Sequence, residues 1–203
     1  MIQQIVDDAK LHGKHILILG APRSGTHALG SVFKKLDPEL IYLEEIATVQ
    51  ESFEPWEDLD NFCKPTTRKL AHVVQSYGKI FAVKKINELK SHSIIVSLRR
   101  RNKIKQFASW MYFKHIGAIY NFDHYTMDYV PPKSITVTMQ DIELFIVDQI
   151  IDCGFIPDYT LYYEDLDLSS SNHKKNQYAY PIEDIFTNMD FIKQHLGDWK
   201  YYE

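Results

Sequence analysis

The sequence predicts a mixed α/β fold, a three-layer α/β/α arrangement around a central parallel sheet. Three observations carry this reading. Short, largely apolar runs recur at 16–19, 80–83 and 93–98, with helical segments between them; runs without polar alternation are the pattern of strands buried on both faces. A glycine-bounded turn, Gly20 to Gly25, joins the first run directly to a helical segment. The chain has 203 residues, 45% hydrophobic and 25% charged, which is enough apolar material for a full core.

Residues 1–14 are read as a short amphipathic helix with Ile2, Ile5, Ala9 and Leu11 in one stripe. They lack the apolar centre of a leader peptide. Residues 15–20 make the first strand, and 26–36 a helix that ends before Asp37–Pro38. Ile41–Leu43 is a short extended piece, and 44–64 is acidic and aromatic without a clear period. Thr66 and Thr67 as caps and Gly78 as terminator predict a helix over 66–77. Ile80–Val83 and Ser93–Leu98 are the second and third strands. A helix over 102–116 follows, with Asn102 as its cap and Ile104, Phe107, Ala108, Met111 and His115 on one face. Residues 117–137 read as loop and 138–153 as a helix ended by Gly154. Tyr159–Tyr163 is a fourth strand, and Pro181 opens a last helix to about His195. With no repeat and no linker, the reading is a single domain over 1–203.

Several function classes recede on composition. The net charge is −4, against a nucleic-acid binder that works by bulk electrostatics. Cys63 and Cys153 form no CxxC pair, so free thiols in a reducing, cytoplasmic setting are expected. No run approaches a membrane span. The nine histidines show no spacing typical of a metal set, so no metal is expected.

The turn at 20–27 is where chemistry concentrates. A strand that runs through a tight turn into a helix presents backbone N–H groups and the positive helix end to an anion. Gly20 and Gly25 have the spacing of a Walker A loop, G-x-x-x-x-G-K-[ST]. Thr26 stands in place of its lysine and His27 in place of its magnesium-binding hydroxyl. Mg-ATP phosphoryl transfer would lose its charge clamp and a metal ligand. Arg23, inside the loop, supplies a cation instead. The fold expectation is accordingly P-loop NTPase-like. A second cationic cluster, Arg99-Arg100-Arg101, ends a strand just before Asn102. Ser109, seven residues after Asn102, shares the face of that cap, and arginine forks suit phosphate oxygens.

Pro22-Arg23-Ser24-Gly25-Thr26 resembles the 5'-phosphosulfate loop of sulfotransferases that use 3'-phosphoadenosine 5'-phosphosulfate (PAPS), usually P-[RK]-S-G-T-T; His27 replaces the second threonine. Arg101 and Ser109 have the spacing of that family's 3'-phosphate ligands, and Leu98 to Trp110 is similar to bacterial and Golgi-type members. The resemblance implies PAPS as co-substrate, adenosine 3',5'-bisphosphate as product and no metal. It assigns cofactor binding to Arg23, Ser24, Gly25, Thr26, His27, Arg101 and Ser109.

For the base, the strand-end K-T-H of cytosolic members corresponds to Val83-Lys84-Lys85-Ile86, with no histidine. The G-E-E segment of the tyrosylprotein enzymes corresponds to Leu43-Glu44-Glu45. Glu45 is therefore the preferred base and Glu44 the second choice; such a carboxylate needs partial burial. Lys84, or Lys85, would meet the sulfuryl group, with Arg23 as a further catalytic cation. Tyr163 in Leu161–Leu166 is a candidate nucleotide neighbour. Gly197-Asp198-Trp199-Lys200 resembles the end of the family's C-terminal loop, whose R-K-G reads Lys193-Gln194-His195 here, so Arg99, Arg100, Lys193 or Lys200 would carry that charge. The aromatic segments around Trp56 and 112–129 are candidates for an acceptor pocket. The acceptor is expected to be a small molecule, sugar or peptide. A degenerate P-loop kinase and an inactive bisphosphate-binding module are the competing readings.

Overall fold

The run from Ile16 to Leu19 has no polar residue and is completely buried, which makes it the natural centre of a sheet. The computed structural model describes residues 1–46, 61–64, 67–74, 89–120, 135–149, 156–167 and 185–197. Among these, α1 (Ile2–Leu11), β1 (His15–Gly20), α2 (Thr26–Leu36), β2 (Ile41–Glu45), β3 (Lys69–Val74), β4 (Ser93–Arg99), α3 (Lys103–Tyr120), α4 (Met139–Gln149), β5 (Tyr159–Tyr162) and α5 (Met189–Leu196) follow in order. The strands form one sheet in the order β2-β3-β1-β4-β5, with every pairing parallel. The chain falls into two compact units, residues 1–101 with 148–173, and residues 102–147 with 174–203.

The first unit holds the sheet. On one face Ile16, Ile18, Leu70 and Val96 pack against Ile5, Val6 and Ala9 of α1 and Leu29 and Phe33 of α2. On the other, Leu17, Leu19, Ala71, Val73 and Ile95 pack against Phe62 and Leu89. Both faces are thus covered, as parallel strands require. The sequence stripe on α1 holds at Ile5 and Ala9, but Leu11 is exposed and Val6 takes its place in the core. The second unit is built on Phe107, Ala108 and Met111 of α3, Ile142 and Phe145 of α4, and Ile192 and Leu196 of α5. Asn102 caps α3 as expected, its Oδ1 accepting the Lys105 N–H at 2.9 Å.

One prediction is reversed. Residues 69–74 are not helical but form β3, which pairs with β1 from Ile16↔Leu70 to Gly20↔Val74. A strand buried on both faces has no alternation to betray it, and the threonines and glycine nearby mimic helix caps. The last helix also starts later than Pro181 predicts. Phe186 makes a parallel bridge to Ile135, and α5 begins only at Met189. The strand expected at 80–83, the loop residues 121–134 and Cys153 lie outside the described residues.

The amino ends of the strands carry a titrating device. His15 is buried, and its Nδ1 accepts the Lys69 N–H at 3.0 Å. Lys69 is buried as well, and its Nζ donates to the carbonyl oxygens of Phe62 and Lys64 at 3.4 and 3.2 Å, beside the helical residues 61–63. Burial, then the charge of Lys69, then His92, pushes the His15 imidazole down from 6.5 to about 4. The folded state therefore holds His15 neutral where the unfolded chain would protonate it. Its contribution is whole above about 6.5 and is lost as pH falls toward 4, on the order of 3 kcal/mol in all. Urea unfolding across that window should show declining stability in the wild type. His15→Asn, whose Oδ1 can still accept the Lys69 N–H, should show a flatter profile; equal slopes would exclude His15 as the cause.

Candidate functional site

The site is assembled where β1 ends. β1 has β3 on one side and β4 on the other, and the chain leaves it toward β2 before returning to β4. Such a switch point opens a crevice beyond the carboxyl ends of the strands. Residues 21–25 fill that position. Arg23 (φ 64°) and Gly25 (φ 100°) are both left-handed, which turns the chain sharply before Thr26 starts α2. The Ser24 N–H closes the turn on the Ala21 carbonyl at 3.1 Å.

Two glycines are fixed by close approach. A methyl group at Gly20 would lie 2.2 Å from Ser24 Oγ and 2.7 Å from Thr26 Cγ2, because the loop folds back over the strand end. A methyl at Gly25 would lie 2.4 Å from Cδ2 of Tyr163. Tyr163 therefore seats its ring on the loop, and Arg100 stacks on the same ring with its guanidinium carbon 4.2 Å from the centroid. Ser24 Oγ and Arg100 Nε are buried and make no hydrogen bond among the described residues.

Arg101 is engaged differently from the expectation. Its two terminal nitrogens grip the Asp165 carboxylate, with Nη2 to Oδ2 at 2.8 Å. Its backbone N–H donates to Glu164 Oε2 at 3.0 Å, and its guanidinium lies 4.1 Å from the centre of the Tyr162 ring. The Arg101 hydrogen bond holds the Asp165 carboxyl below its usual range. Ser109 is buried on α3, in the second unit. Lys84, Lys85, Lys200 and Trp56 lie outside the described residues.

A further cluster, absent from the sequence reading, forms beside the loop. β3 carries His72, fully buried, in register with Ile18 on β1 and Glu45 on β2. Its Nε2 is 3.2 Å from Nε2 of His27, the first-turn residue of α2, and its Nδ1 is 3.2 Å from the Tyr42 hydroxyl. The ligand-capable atoms of His27, Glu45 and His72 all lie within 4.8 Å of one another. Glu45 arrives there through a bulge. The pairing of β2 with β3 slips between Tyr42 and Glu45, and Glu44 takes up the slack with φ 58°. In a regular strand Tyr42 and Glu44 would share a face; the extra residue puts Glu45 on it instead. Gly30 makes room for Tyr42, since a methyl there would lie 2.3 Å from the tyrosine hydroxyl.

Reading 66–77 as helix hid His72, because a helix places it on no sheet face at all. The available signal was Gly30, an unforced glycine inside a helix three residues after His27, which marks close approach by another element. No helix among the described residues is long and apolar enough to cross a membrane. No family model, no curated protein and no solved structure matches this chain.

Proposed function

We propose that this chain is a PAPS-dependent sulfotransferase with a P-loop-type fold, acting on a hydroxyl or amine of a small molecule, sugar or peptide. The observation that carries the reading is the loop at the end of the central strand. Its left-handed Arg23 and Gly25 aim the first turn of α2 at the crevice, and Arg99 ends the neighbouring β4 with Arg100 and Arg101 directly after it. Arg23 and the backbone amides of 24–27 hold the 5'-phosphosulfate. The buried Ser24 hydroxyl and Arg100 Nε lack hydrogen-bond partners among the described residues, and donor oxygens would satisfy them. Arg101 takes the 3'-phosphate, which competes with Asp165 for the Arg101 fork; Arg100, stacked on Tyr163, supplies charge without that competition.

The step is an in-line displacement. The acceptor oxygen or nitrogen forms its bond to sulfur as the bond from sulfur to the bridging phosphate oxygen breaks. The acceptor proton passes to Glu45, and adenosine 3',5'-bisphosphate leaves with the bridging electron pair. Lys84 and Arg23 stabilise the charge that develops on the bridging and sulfuryl oxygens.

A thermal-shift measurement with adenosine 3',5'-bisphosphate and with Mg-ATP tests the reading. At a hundredfold excess over the dissociation constant, the bisphosphate should add about 2.7 kcal/mol, a rise of roughly 5–10 °C for a chain of this size. Arg23→Ala should abolish the rise. Stabilisation by Mg-ATP alone overturns the proposal in favour of a degenerate kinase. Stabilisation by the bisphosphate without turnover on any acceptor would reduce the chain to a binding module.

A further inference from the structure

We infer that His27, His72 and Glu45 form a three-ligand site for a divalent transition metal of the zinc class. The proposal stands on geometry and not on the sulfotransferase reading. Two nitrogens each about 2.05 Å from one metal lie about 2.9 Å apart at an octahedral angle and about 3.3 Å apart at a tetrahedral one. The 3.2 Å between the two Nε2 atoms falls inside that interval. The third donor, the Glu45 carboxylate, lies within 4.8 Å of both.

The surroundings favour ligation. Two histidines and one carboxylate are the donor set of open zinc and iron(II) sites, which keep positions for water or a further ligand. His72 is buried, and its orientation is fixed at the far nitrogen by the Tyr42 hydroxyl at 3.2 Å. Metal-bound imidazoles are commonly held in this way. Tyr42 acts as donor or acceptor according to the tautomer. With the proton on Nδ1 of His72, Tyr42 accepts, and Nε2 presents a lone pair to the metal. His27 and Glu45 are only partly buried, which leaves an entry path. Three separate features converge on the cluster: the bulge at Glu44, the missing side chain at Gly30, and a buried histidine in the apolar run of β3 after Lys69. His27 also occupies the loop position at which a Walker A motif carries its metal-binding hydroxyl.

Glu45 cannot present the same lone pairs to a metal and to an acceptor proton. Metal loading should therefore inhibit sulfuryl transfer, and a chelator should restore it. This consequence depends on the proposed function; the site itself does not.

The test uses the untagged 203-residue chain after treatment with a chelator. Titration with Co2+, followed by its visible absorption, and with Zn2+, followed by calorimetry, should show one saturable site per chain. His27→Ala and Glu45→Gln should each weaken binding at least tenfold. Tyr42→Phe, which touches no metal, should weaken it by about 10-fold through loss of the imidazole's anchor. Circular dichroism and cooperative unfolding establish that each variant is folded. Absence of saturable binding, or binding unchanged in both His27→Ala and Glu45→Gln, overturns the inference. Metal binding without a bisphosphate-induced shift would leave the site standing and remove the sulfotransferase reading; the reverse result would do the opposite.

Discussion

With chelator present, Glu45→Gln should slow sulfuryl transfer by about 10²–10⁴-fold, the range for loss of a positioned general base. Its affinity for adenosine 3',5'-bisphosphate should be unchanged. The expected split follows from where the residue sits. Glu45 ends β2, two strands from β1 in the sheet order, and the bulge turns it toward the first turn of α2, while the groups proposed to grip the donor lie at 23–27 and 99–101. Removing its charge takes away a proton acceptor and leaves the anion cradle intact. Glu44→Gln is the natural comparison. Glu44 is exposed and held at φ 58°, outside the His27–His72 cluster, so transfer should continue near the wild-type rate. A normal rate in Glu45→Gln would move the base elsewhere; equal losses in both variants would point to the bulge and not to either carboxylate.

Arg68→Met should be the most destabilising substitution outside the core, costing about 3–5 kcal/mol. Asp37, at the end of α2, has no exposed side-chain surface and pairs with Arg68 at 2.5 Å and with Lys10 at 3.5 Å. Burial alone would push its carboxyl up, but the Arg68 hydrogen bond and the charges of Arg68 and Lys10 outweigh that and hold it below the usual range. The group's contribution is therefore present above the ordinary carboxylate value and is lost as pH falls through the depressed one. Removing Arg68 strands a buried charge. Pairing Arg68→Met with Asp37→Asn should recover part of the loss, a non-additivity that urea unfolding of the two singles and the double would measure. The Arg68–Glu39 contact, with Glu39 largely exposed, should contribute little. A cost under about 1 kcal/mol for Arg68→Met would mean that Lys10 alone neutralises Asp37.

How much of this was legible in the sequence depends on how local each signal is. β1, its turn and α2 emerge with their observed bounds because an apolar run, two glycines and the break at Asp37–Pro38 all lie within a short window. The Asn102 cap is equally local. β3 was lost for the opposite reason: Leu70, Ala71 and Val73 face two covered sides, and only pairing with β1 reveals them as a strand. The site divides along the same line. The loop cations could be named from spacing, whereas the meeting of His27, His72 and Glu45 depends on a bulge and on strand register, neither of which leaves a mark in composition. Arg101 shows a further limit. Its spacing to Ser109 is visible in sequence, but its grip on Asp165 is a contact across 64 positions.

Gly30 shows where thermostability and this site pull in different directions. A glycine inside a helix costs about 1 kcal/mol relative to alanine, so position 30 would attract any consensus or propensity-based stabilisation of α2. Here the gain in helix propensity would be set against the tyrosine hydroxyl, 2.3 Å from the methyl it would introduce. The helix gives up propensity at the residue that lets Tyr42 reach His72, a local trade of helix stability against the geometry of the His27–His72–Glu45 cluster, of the kind that hardening a fold can undo.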